Sequence, residues 1–214
     1  DTELTDVDRQ VGRLIAEEIE DGACIQVGIG GMPNAACAAL LESGAKDLGL
    51  HSEMLTDSMV DLVLSGQATG ARKTLDQGRH VYSFALGQRK LYDAINDNPD
   101  FCCYPADYTN LPHNIMRNEK VVAINNTTQI DLTGQAASES DGLRHISGTG
   151  GQLQFVRGAY ASPGGKSFIC MAGTASSKRR HLCAASSYLT GSILTSSMSP
   201  SSTLSAKPMG FTLG

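Results

Sequence analysis

No apolar run in this chain approaches the roughly 20 residues that a helix needs to span a bilayer. The opening Asp1-Thr2-Glu3 has neither the basic segment nor the apolar segment of a secretory signal, so a cytoplasmic location is expected. An excess of positive charge is also lacking. The formal net charge is −5, which argues against a nucleic-acid or anionic-membrane partner. The six cysteines (Cys24, Cys37, Cys102, Cys103, Cys170 and Cys183) form no Cys-x-x-Cys pair and no Cys/His cluster at metal-ligand spacing. No metal is therefore expected, and the thiols read as reduced and mostly buried.

Some absences are local. All 22 acidic residues lie at or before Asp141, and between Arg180 and Lys207 there is no Asp, Glu, Lys or Arg. Residues 186–205 are crowded with Ser and Thr instead. A change of character is placed near residue 178, giving one domain over 1–178 and an atypical tail over 179–214. A reading-frame change after Lys178 is the expected origin of the tail. The chain also opens without a Met, as a fragment or a processed product would.

What is present is an ordinary globular composition, 41% apolar and 18% charged over 214 residues, ample for a buried core. Val7, Val11, Leu14, Ile15 and Ile19 recur at helical spacing, with Thr5 or Asp6 as cap and Gly22 as the expected C-terminal αL residue. A β-prone run, Cys24–Val27, leads into Gly28-Ile29-Gly30-Gly31-Met32. Pro33 is expected at the first position of a small-residue helix. Further strands are expected at 48–54, 80–86, 101–104, 121–126, 129–134 and 167–172, with helices over 59–64 and 88–96. Strands alternating with helices predict an α/β fold, an open and mostly parallel sheet with flanking helices.

Two glycine-rich loops carry chemical interest. Gly28–Met32 lies between a strand and a helix start, where amides and the helix N-terminus favour negative charge. A dinucleotide fingerprint would require Gly where Pro33 stands. The second loop is Ser147-Gly148-Thr149-Gly150-Gly151-Gln152. Taken alone, each loop fits a tight turn as well as a ligand cradle. Glu53, near the end of a predicted strand, sits where open α/β sheets place ligands, yet a solvated or salt-bridged carboxylate fits that place equally.

The string GIGGMPNA, followed by DLGLHSEMLTDS, decides between these readings. Colinear segments follow: KLYDAINDNP (90–99), IDLTGQAASES (130–140), HISGTGGQLQFVRGA (145–159) and GGKSFI (164–169). Over residues 6–175 the chain resembles the acetyl-CoA hydrolase/transferase family of class I CoA-transferases. Its nearest resemblance is to the 4-hydroxybutyrate and butyryl-CoA:acetate branch, in the C-terminal catalytic domain. The resemblance implies that Glu53 of the His-Ser-Glu-Met motif is the covalent nucleophile of a ping-pong transfer of coenzyme A between short-chain acids. It implies an oxyanion-stabilising and CoA-facing role for Gly28, Ile29, Gly30, Gly31 and Met32, and CoA contacts at Thr128 and Gly151. Donors that keep Glu53 ionised are expected from His51 or from backbone amides.

The same resemblance sets further expectations. Ser58 stands where the family usually has Gly. An N-terminal domain of comparable size is expected to precede this chain and to complete the site, and homo-oligomers are common in the family. A V-T-E-Y-G stretch expected near the C-terminus is absent, although GSILTSS (191–197) echoes the approach to it. Acyl-CoA and a short-chain carboxylic acid are the implied substrates, and neither ATP nor a metal is implied. Acyl-CoA hydrolysis, or an inactive CoA-binding fragment, are the alternatives.

Overall fold

The computed structural model describes residues 4–130, 135–140 and 144–172, together with the backbone of residues 191–196. Helix α1 (Asp6–Glu17) opens on a reciprocal cap: Asp8 N–H donates to Thr5 Oγ1 at 3.2 Å, and Thr5 N–H donates to the Asp8 carboxylate at 3.0 Å. This satisfies two orphan donors of the first turn. The helix stops at Glu17 with Glu18 as its right-handed C-cap, so Gly22 is not the cap expected; its left-handed conformation (φ 78°) lies in the turn before the first strand. Its buried face, including Val11, Gly12 and Ile15, lies on helix α2 (Gly31–Ser43). Gly12 abuts the backbone of Ala35 closely enough that only glycine fits. Pro33 falls at the third helical position instead of the first, since Gly30 is the cap and the helix begins at Gly31.

The main sheet contains β1 (Cys24–Val27), β2 (Gly49–Leu50), β7 (Val121–Asn126), β10 (Lys166–Ala172) and β11 (Gly191–Ser196). Its order is β11-β10-β7-β1-β2, and every pairing is parallel. Beyond β2, short strands extend the same surface: β3 (Met54–Leu55) pairs with β5 (Phe84–Ala85), and β4 (His80–Tyr82) pairs with β6 (Phe101–Cys103). A His51–Val81 bridge joins β2 to this extension. Helices α3 (Asp57–Leu64), α4 (Arg89–Ile95), α5 (Ala106–Thr109) and α6 (Pro112–Ile115) connect these strands. A small antiparallel pair, β8 (Gln129–Ile130) with β9 (Ala136–Ala137), follows β7, and α7 (Gln152–Ala161) precedes β10.

The α/β fold with an open parallel sheet is thus present. Alternate residues of β7 face opposite ways, Val122 and Ile124 into one core and Val121 and Ala123 into another. Burial of both faces explains why these strands read as continuous apolar runs. Helices α5, α6 and α7 were not legible from pattern. In α7 a glycine, Gly158, interrupts the helical text because a Cβ there would collide with Ile115 of α6. The strands expected at 48–54 and 80–86 are each broken in two. The cause is the Glu53 carbonyl, which accepts both Ser83 N–H at 2.8 Å and Phe84 N–H at 3.1 Å. The regular ladder is interrupted there, while the register stays the same on either side, His51 opposite Val81 and Met54 opposite Phe84.

The chain leaves β1 in one direction through β2, β4 and β6, then returns to place β7 on the other side of β1. The reversal therefore lies between β1 and β7, where open α/β sheets offer a crevice outside the strands' carboxyl ends. Residues 131–134 of the last expected hairpin strand lie outside the described residues. So does the proposed tail, except for β11, which pairs in register with β10. Cys24, Cys37, Cys102, Cys103 and Cys170 are free thiols, three of them buried, while Cys183 lies outside the described residues. Among the described residues no helix is long and apolar enough to cross a membrane.

Candidate active site

Glu53 occupies the gap between β2 and β3, on the carboxyl rim of the sheet. Its backbone is pinned by the two amides from Ser83 and Phe84, while its half-buried side chain reaches Gly151, the cap residue of α7. A Cβ on Gly151 would run into Glu53 Oε2 and would lie 2.8 Å from Asn110 Nδ2. The carboxylate, the Asn110 amide and the amide end of a ten-residue helix therefore converge on one point. Such a helix end favours negative charge. The second glycine loop thus meets Glu53 through Gly151, and the glycine is what leaves room for the carboxylate.

The first loop lies at the reversal between β1 and β7. Gly28 packs against Asn125, whose Oδ1 would be 2.8 Å from a Cβ on Gly28. Asn125 is locked by reciprocal bonds to Gln26, 3.1 Å and 3.0 Å long and buried. Gly30 adopts φ 134°, a conformation open essentially to glycine alone, and lies against the Asn126 amide. One expectation narrows here. The Gly28 amide donates to the Ile124 carbonyl at 2.7 Å, so Gly28 supplies close backbone approach and not a free donor. Gly31 and Met32 begin α2, where the first amides have no intrahelical acceptor. Ile29 stands at the tip, 70% exposed.

His51 does not serve as a donor to Glu53. It is buried at 2% exposure, and its Nε2–H donates to the Thr109 carbonyl at 2.9 Å. Burial, aided by the Lys73 ammonium, pushes its pKa down to about 4, so the ring is neutral at ordinary pH. Thr128 lies two residues past β7 on the same rim, exposed, with its hydroxyl directed to the Ala137 and Ser140 carbonyls. No described contact joins it to Glu53. Ser58, in the first turn of α3, pairs with Thr56 Oγ1 at 3.0 Å and donates to Asn34 Oδ1 of α2 at 3.3 Å.

The residue that sequence reading missed is Asn110. It ends α5 and carries no motif. Thr109 Oγ1 donates to its Oδ1 at 3.0 Å, and the Ser83 hydroxyl bonds Thr109 in turn. Because the amide oxygen only accepts, this chain directs Nδ2 toward Gly151 and Glu53.

Comparison with known proteins identifies the family. Residues 87–202 match the acetyl-CoA hydrolase/transferase C-terminal domain. Butyryl-CoA:acetate CoA-transferase of Anaerostipes caccae is 50% identical over 174 residues, covering 81% of this chain and 39% of that protein. Succinyl-CoA:cyclohexane-1-carboxylate CoA transferase of Geobacter metallireducens is 51% identical over 172 residues, 80% of this chain and 39% of that protein. Among solved structures, RipA from Yersinia pestis superposes with a TM-score of 0.75 at 44% identity, over 82% of this chain and 40% of that one. The chain thus spans about two fifths of the length of the curated relatives it matches. The chain belongs to the acetyl-CoA hydrolase/transferase family.

Proposed function

We propose that this chain carries the reacting carboxylate of an acyl-CoA:carboxylate CoA-transferase for short-chain acids such as butyrate, 4-hydroxybutyrate and acetate. The observation that carries the reading is the placement of Glu53, a half-buried carboxylate on the sheet rim with the α7 cap and the Asn110 amide beside it. The names of the relatives supply the substrate class. Transferases for butyrate and 4-hydroxybutyrate are 46–50% identical to this chain, whereas acetyl-CoA hydrolases are 29–31% identical.

In this reading the Glu53 carboxylate attacks the acyl-CoA carbonyl, and the C–S bond breaks to give an acyl-glutamyl anhydride and CoA thiolate. The thiolate then attacks the glutamyl carbonyl. A glutamyl-CoA thioester forms and the first acid leaves as its carboxylate. A second carboxylate reverses both steps, so one thioester is exchanged for another. Each addition places negative charge on a carbonyl oxygen. Amides of Ile29, Gly30, Gly31 and Met32 and the cap at Gly151 are the donors available to it. Gly28 lets the CoA thiol arm approach the backbone, and Thr128 contributes a contact farther along CoA. Ile29, Phe84, Leu86 and Leu111 expose apolar side chains near this rim, a surface for a further N-terminal domain of the same enzyme. A homo-oligomer completes the proposal.

Butyryl-CoA with borohydride tests the nucleophile. The expected product is a reduced residue at Glu53 in the peptide mass spectrum, lost in Glu53→Ala with the fold intact. Turnover that leaves Glu53 unlabelled would reject the assignment. Assays with and without acetate separate transfer from hydrolysis, since butyrate released without any acceptor marks a hydrolase.

A further inference from the structure

We infer that His51 is a positioning residue that brackets both groups flanking Glu53, holding Asn110 through Thr109 and Gly151 through Phe155. The inference rests on Glu53 being the nucleophile. His51 lies two residues before it, at the end of β2, with its side chain in the interior. On one side, Nε2–H donates to the Thr109 carbonyl at 2.9 Å. A carbonyl only accepts, which fixes the tautomer with the proton on Nε2 and leaves Nδ1 a bare lone pair. That atom is buried and has no partner. On the other side, the ring lies against Phe155, with centroids 6.3 Å apart. Phe155 N–H donates to the Gly151 carbonyl at 3.1 Å, closing the first turn of α7.

The two arms therefore end at the two groups nearest the carboxylate. From Thr109 the bond continues through its hydroxyl to Asn110 Oδ1, and the same hydroxyl pairs with that of Ser83, whose amide bonds the Glu53 carbonyl. Thr109 is fully buried and Asn110 half-buried, so the amide is anchored on a buried neighbour. An unpartnered buried Nδ1 costs stability. The surrounding contacts retain the imidazole despite that cost, as expected where one side chain must be both a donor and a flat packing wedge. Asparagine and α7 shifted by about 1 Å would cost on the order of 10²-fold in rate, while CoA, held by the loops at the β1–β7 reversal, would bind as before.

The test uses the full polypeptide that carries this chain, with three variants. His51→Ala is expected to slow the borohydride-trappable acylation of Glu53 by roughly 10²-fold, with the dissociation constant for CoA unchanged within error. His51→Gln, whose Nε2 occupies the same donor position, is expected to recover most of the rate. Thr109→Val keeps the carbonyl that His51 reaches but deletes the hydroxyl, and is expected to reproduce the loss. The Asn110 side-chain amide resonances are expected to move in His51→Ala and Thr109→Val and to return in His51→Gln. The inference fails if His51→Ala acylates at the wild-type rate. It fails equally if His51→Gln is as slow as His51→Ala while the Asn110 resonances stay in place. A wild-type protein that never labels Glu53 would instead remove the nucleophile assignment, and the inference with it.

Discussion

Replacing Gly151 by alanine separates chemistry from stability at this site. The added Cβ would overlap Glu53 Oε2, lie 2.8 Å from Asn110 Nδ2 and 3.0 Å from Glu53 Cδ. Gly151 has φ −95° and ψ −2°, a conformation alanine adopts, so the backbone is not strained. The atoms it meets are the ends of two rotatable side chains, and both can swing aside. Moving a side chain off its preferred rotamer costs about 0.5–1.5 kcal/mol, and alanine is a poorer helix cap than glycine by a fraction of that. The expected destabilisation is roughly 1–2 kcal/mol, a few degrees in Tm for a domain of this size.

The consequence for chemistry is much larger if the proposed reaction holds, because the group that swings aside is then the nucleophile. A displacement of about 1 Å from the reactive position costs on the order of 10²-fold. Gly151→Ala should therefore melt within a few degrees of wild type while losing most borohydride-trappable labelling of Glu53. Scanning calorimetry and peptide mass spectrometry on the same preparations check both halves. Labelling within about twofold of wild type would refute the reasoning, since the carboxylate would then react from a place the alanine does not touch.

Gly12→Ala should show the opposite pattern. Its Cβ would meet the Ala35 carbonyl carbon and oxygen at 2.5 Å and Ala36 N at 2.9 Å, all backbone atoms of α2 that cannot rotate away. The gain in helix propensity of about 1 kcal/mol is then outweighed by overpacking of about 1–3 kcal/mol. Urea denaturation should show a lower midpoint, with Glu53 labelling per folded molecule unchanged. Acid stability should report on the buried histidines, for burial pushes both His51 and His80 down to about 4 from an ordinary 6.5. Their contribution is complete above pH 6.5 and is lost as pH falls toward 4, because only the unfolded chain takes up the protons in that window. At about 1.4 kcal/mol per unit, His51 alone accounts for roughly 3 kcal/mol. Denaturation midpoints measured from pH 7.5 to 4.5 should fall less steeply in His51→Gln than in wild type; parallel slopes would contradict the burial argument.

Local signals were legible where one segment decides its own structure. Thr5, one of the two caps expected, is the cap of α1, and the spacing of Val11 and Ile15 gives its buried face. Strand and helix alternation yields a parallel sheet because hardly any other arrangement buries continuous apolar strands on both faces. What pattern could not reach depends on pairing between distant segments. Nothing near Asn110 marks it, since its importance arises only where α5 meets the cap of α7. His51, expected along with backbone amides as a donor to Glu53, is another such case. The strand ends at Leu50 and resumes at Met54, and across that break the imidazole goes to Thr109 instead.

In the proposed reaction, that break is what sets one carboxylate of the rim apart. In a parallel sheet every strand delivers its carboxyl end to one rim, and each following helix begins there with its amides outward. Helices α2, α3 and α7 all start on this side, so the rim suits carboxylates, thiolates and oxyanions wherever the chain offers them. Suitability along a whole edge does not select a reacting residue. In the proposed reaction, selection comes from the break in the ladder: the Glu53 carbonyl takes two amides from the neighbouring strand, which pins its backbone where the pairing of β2 and β3 is interrupted. Glu53 is left fixed at the Cα and half-exposed beyond it, opposite a helix cap that has no side chain of its own to stand in the way.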